Sequence, residues 1–114
     1  MPTLDDVLPS ATVRVETPDG TAFVIISEDG SGRPVRIEVI IGKAGAALAA
    51  WASALSNLMT TLLQKGLTLE DILYDIAGIS SDKVMARIAD RPSAKSGPDG
   101  IAKAIIIYLM RRRR

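Results

Sequence analysis

Two turn-forming runs, Pro18-Asp19-Gly20 and Glu28-Asp29-Gly30-Ser31-Gly32, punctuate the N-terminal part of the chain, and this punctuation constrains the fold more than any other feature. Pro presets one turn dihedral, Asp bonds its own backbone, and Gly supplies conformations closed to other residues. Between the turns lie Thr12–Thr17, Ala22–Ser27 and Pro34–Ile41. All three are rich in β-branched residues. The third places Val35, Ile37, Val39 and Ile41 on one face, with Arg36, Glu38 and Ile40 on the other. Connections this short permit only antiparallel neighbours, so the expectation is a three-stranded meander.

Helical patterns follow. Gly42-Lys43-Ala44-Gly45 opens a long helix to about Gln64, closed by Gly66. Ala44 to Leu63 carries no charge over twenty residues, long enough to cross a bilayer. However, Ser53, Ser56, Asn57, Thr60, Thr61 and Gln64 recur as a polar stripe, and Leu48, Ala52, Leu55, Leu58, Met59, Leu62 and Leu63 fill the opposite side. That pattern predicts an amphipathic helix lying on the sheet, not a membrane span. Thr68 caps a second helix through Ala77. A short helix is expected near Lys83–Ile88, and a last one from Pro98 to about Met110. The fold class is therefore α+β: a three-stranded antiparallel β-meander followed by three to four helices packed on one face. Residues 1–10 form a lead-in, 11–110 a single domain, and 111–114 a basic end.

Composition excludes much chemistry. With no Cys and no His among 114 residues, disulfides, thiolate nucleophiles, imidazole bases and the usual zinc sites are ruled out. Serines have no histidine to activate them. Glu70, Asp71 and Asp75 at a helix start are explained by its dipole. Gly42-Lys43 lacks the spacing and the Ser or Thr of a phosphate loop. We expect no enzyme activity, no cofactor and no metal. The absence of a leader pattern points to the cytoplasm, in a bacterial or phage-infected bacterial cell.

The net charge of +1 becomes −3 without Arg111 to Arg114. This short run complements the last helix dipole, and nucleic acid is not an expected partner. More apolar strand positions exist than one sheet face needs. Self-association as a homodimer or higher homo-oligomer is expected, with a two-sided monomeric core as the alternative.

Anion-binding features cluster late in the chain. Lys83, Arg87, Arg91, Lys95 and Lys103 face only Asp90 and Asp99 between residues 83 and 103. Ser96 or Gly97 suits a helix cap and Pro98 a first helical position, where free N–H groups favour phosphate. Asp99 already places a negative charge there, so a self-capped structural helix is the other reading. We expect Arg87, Arg91 and Lys95 to hold phosphates of a small phosphorylated ligand. Ser96, Asp99 and Lys103 would close the pocket, with Asp99 able to accept from a ribose hydroxyl or base amine. Lys43 and Gly45 would form a second wall, from the same or a partner subunit.

Ser96-Gly97-Pro98-Asp99, followed by Ile101-Ala102-Lys103-Ala104, resembles the closing signature of the TSCPD family, named for a Thr-Ser-Cys-Pro-Asp run. Leu8–Val15 resembles the family's opening strand, and Ile41–Gly45 its Gly-Lys-Ala-Gly turn. Leu62–Gly66 and Ala77-Gly78-Ile79 resemble its helix ends. Members often form the C-terminal end of adenosylcobalamin-dependent ribonucleotide reductases and carry several cysteines. Here the signature cysteine is Gly97, the first turn is Pro18-Asp19-Gly20, and Ser80-Ser81 replaces a Cys-Pro pair. The resemblance thus implies a cysteine-less stand-alone member, without the family's metal or redox chemistry. In size and layout the chain also resembles phage anti-Thoeris and anti-CBASS sponge proteins. That likeness implies non-catalytic sequestration of a cyclic nucleotide or cyclic ADP-ribose immune signal. The alternative implied by the family is an accessory module bound to a ribonucleotide reductase; a third reading is an enzyme acting on nucleotides.

Overall fold

A computed structural model of the chain describes residues 7–42, 45–77 and 96–112. The order is β1 (Ser10–Thr17), β2 (Gly20–Glu28), β3 (Pro34–Ile41), α1 (Ala46–Gln64), α2 (Leu69–Ile76) and α3 (Gly97–Arg112). The strands form one antiparallel sheet in the order β1-β2-β3, the meander expected from the turns. Lys43, the short helix near Lys83–Ile88, and Arg87, Arg91 and Lys95 lie outside the described residues.

Local chemistry sets both hairpins. Thr17 pairs with Gly20 across a two-residue loop, and Gly20 takes a φ of 117° that a side chain resists. In the second turn the Asp29 carboxylate accepts from the Ser31 hydroxyl (2.6 Å), Ser31 N–H (2.9 Å) and Arg33 N–H (3.0 Å). The Ser31 hydroxyl first, then these amides, hold its carboxyl below the ordinary value.

One sheet face makes the core. Val15, Ala22, Val24, Ile26, Ile37 and Val39 join Met59 and Leu63 of α1, Leu69 and Ile72 of α2, and Ile101, Ile105 and Tyr108 of α3. The opposite face aligns Arg14, Phe23 and Ile40, with Phe23 37% and Ile40 48% exposed. The surplus strand apolars therefore sit on that second face.

α1 lies along β3, and here the facing of the helix differs from expectation. Ser56 Oγ accepts from Val39 N–H (2.9 Å) and donates to Ala52 C=O (2.7 Å). Thr60 Oγ1 accepts from Ile37 N–H and donates to Ile37 C=O, both at 3.1 Å. β3 is an edge strand, and its outward amides need partners once a helix covers them. Two members of the polar stripe thus turn inward to bond the strand, while Leu58 is 62% exposed, Leu62 37% and Trp51 55%. α1 then closes in a Schellman pattern: Leu67 N–H reaches Leu62 C=O, Gly66 N–H reaches Leu63 C=O, and Gly66 has φ 103°.

α3 is pinned at its far end. Tyr108 donates to the Glu28 carboxylate, and Arg112 bonds the Gly32 carbonyl and pairs with Glu28 at 3.9 Å. Its guanidinium lies 5.8 Å from the Tyr108 ring centre. Arg112 is therefore a docking residue, beyond the solvated dipole complement expected of the basic end. No described helix is long and apolar enough to cross a membrane.

Candidate functional site

A cleft of about 500 Å³ opens between α1 and the start of α3. Its floor is Ala22, Val39 and Ile41 of the sheet. One wall is Ala47, Leu48, Trp51 and Leu55 of α1; the other is Ser96 with Gly97, Pro98 and Ile101 of α3, and Asp19 of the first hairpin also lines the cleft. The lining is predominantly apolar, and its volume falls in the range of small-molecule sites. Asp19 is the sole charged residue among the described residues lining it.

Two helix starts flank this cleft, and they differ. At α3, Ser96 is the N-cap: its hydroxyl accepts from Asp99 N–H (3.1 Å), and its carbonyl accepts from Gly100 N–H (2.9 Å). Pro98 has no N–H at all. Little donor capacity remains there for an anion, so the self-capping reading describes this helix end. At α1, Gly45 is the N-cap with φ −68° and ψ 169°, no side chain among the described residues caps the helix, and no acidic residue stands in the first turn. Orphan N–H groups and a positive dipole end are therefore offered by α1, beside Ala47 and Leu48.

The candidates named from sequence separate accordingly. Ser96 lines the cleft. Asp99 is 4% exposed and pairs with Lys103 at 3.8 Å, one turn along α3, and neither residue lines the cleft. Gly45 sits at the α1 start that contributes its wall. Lys43, Arg87, Arg91 and Lys95 lie outside the described residues. Among those described, no group of three or more acidic, His or Cys residues gathers as a metal site.

Sequence reasoning missed Trp51, Leu48, Leu55 and Asp19 as site residues. The chain's single tryptophan, placed in an uncharged helix, was the available signal. Asp19 was read as turn chemistry alone, and nothing local shows that its turn meets α3. Gly97 carries a further message: a Cβ built there would lie 3.7 Å from Asp19 Oδ2, in ordinary contact. The position aligned with the signature cysteine thus faces this cleft and has room for a side chain.

A family model described as TSCPD domain matches residues 4–109. No curated protein matches the chain, and no solved structure does.

Proposed function

The chain belongs to the TSCPD domain family, matched across residues 4–109, and from that premise we propose that it is a non-catalytic binding module for a nucleotide-derived ligand. The observation that carries this reading is the cleft of about 500 Å³ set between two helix starts, with the indole of Trp51 in its lining. A base stacks on an exposed indole with little loss of side-chain freedom. We assign the Asp19 carboxylate, which lines the cleft, to a base amine or ribose hydroxyl. The open α1 start favours a phosphate, and the cations that precede Ser96 in sequence, Arg87, Arg91 and Lys95, are assigned to its remaining charge.

That the site is non-catalytic is our reading of the composition. The chain has neither Cys nor His, and Gly97 stands where the family signature places a thiol. A ligand bound but not converted is a ligand withheld. Sequestration of a cyclic nucleotide or cyclic ADP-ribose signal is the role we assign to it.

Trp51 makes the test direct, because it is the only tryptophan. Its fluorescence is titrated with cyclic mono- and dinucleotides, cyclic ADP-ribose and deoxynucleoside triphosphates. We expect saturable quenching by at least one of these. Trp51→Ala should weaken that ligand by about tenfold or more in calorimetry, matching roughly 1–3 kcal/mol of base stacking. Arg91→Ala should weaken the same ligand, and an unchanged affinity would remove Arg91 from the site. No response across the panel would overturn the reading and favour a module acting through protein contact, such as an accessory of a ribonucleotide reductase.

A further inference from the structure

Leu48, Trp51, Leu55, Leu58 and Leu62 follow one another at alternating spacings of three and four residues along α1. That is the periodicity of a helix–helix seam. This seam lies beside the one that α1 buries on the sheet through Ala52, Ser56, Met59 and Leu63, and its half-buried Leu55 also packs against the core. Trp51 is 55% exposed, Leu58 62% and Leu62 37%. Uncovered, it is an apolar ridge on a helix that carries no charge from Ala46 to Gln64.

We infer that a second copy of this chain covers the ridge, its α1 antiparallel to the first, and that the pair closes the mouth of the cleft. Three observations select a second copy. First, the order 51, 55, 58, 62 reads the same in both directions about a point between Ser56 and Asn57. A twofold axis there sets Trp51 against the partner's Leu62, and Leu55 against the partner's Leu58. An isologous contact needs this self-complementarity. Second, the ridge is flanked by exposed Ala47 and Ala54, with exposed Ala50 and Thr61 beyond them, none of them charged. Small residues let backbones approach, antiparallel dipoles attract, and no charge repels the copy or recruits a charged stranger. Third, Trp51 and Leu55 line both the cleft and the outer hollow formed with Ala54 and Leu58. A chain seated on the hollow therefore adjoins the cleft mouth and can roof it. The closing of the cleft rests on the binding reading; the pairing itself does not.

Sedimentation of the full chain, with no ligand, tests the pairing on its own. The wild type should run as a dimer that dissociates on dilution, with Trp51 emission shifting to the red as it does so. Leu58→Glu should be monomeric and red-shifted at every concentration, with unchanged circular dichroism because Leu58 is already exposed. Phe23→Glu, on the opposite sheet face, should remain a dimer. A monomeric wild type, a dimeric Leu58→Glu, or a dimer broken by Phe23→Glu would each overturn the inference. A dimer that ignores every nucleotide leaves this interface standing and removes only the ligand.

Discussion

Ser56 sits on a helix and serves a strand. Its hydroxyl satisfies the Val39 amide, which is buried beneath α1 and has no neighbouring strand to bond. Ser56→Ala should cost about 1–3 kcal/mol in urea unfolding, the penalty of an orphaned buried donor. Ser53→Ala, an exposed hydroxyl on the same helix, should stay within about 0.5 kcal/mol of wild type. Equal effects would show that the hydroxyl is not working on the strand. Gly97 gives the opposite kind of prediction. Its backbone lies outside the left-handed region, and a new Cβ meets nothing closer than 3.7 Å. Gly97→Ala should raise stability by about 0.4–1 kcal/mol through the unfolded chain, yet weaken ligand by narrowing the cleft. A variant that binds as before would remove position 97 from the site.

At the scale of elements, α3 is held to the second hairpin by Tyr108, Glu28 and Arg112. Burial, and then the bond to the Glu28 carboxylate, push the Tyr108 hydroxyl up to about 12. The unfolded phenol ionises near 10, so between about pH 10 and 12 the folded chain holds a proton that the unfolded chain has lost. Stability from this group is complete below pH 10 and lost as pH climbs through that window. Chemical unfolding across pH 9–12 should show wild type losing stability that Tyr108→Phe keeps. Parallel curves would contradict the assignment. The strands and turns were legible because their determinants are local: alternation, Asp29 and two glycines. The polar and apolar stripes of α1 were legible as stripes, but not their facing. Which stripe turns inward depends on an edge strand far away in sequence whose amides need acceptors.

At the scale of the whole molecule, the candidate site is an assembly of pieces from Asp19 to Ile101. The signature near Ser96 was visible in sequence, as was the Gly45 turn. Their convergence on one cleft was not, because it arises only when α1 follows β3 and α3 follows β1 on the same sheet face. The same geometry moves the anion-attracting end from α3, where Ser96 and Pro98 leave few donors, to α1, where none is capped by a described side chain. It also leaves Trp51 at the boundary between a ligand cleft and a helix ridge. One residue thereby reports on both binding and pairing.

The most direct measurement is mass spectrometry of the small molecules released when the purified protein, incubated with the nucleotide panel, is washed and denatured. The account predicts a phosphorylated, base-bearing molecule recovered with its mass unchanged, and retained less by Trp51→Ala than by wild type. A protein that releases nothing, or one that returns the molecule cleaved or transformed, would contradict a cleft that holds its ligand without acting on it.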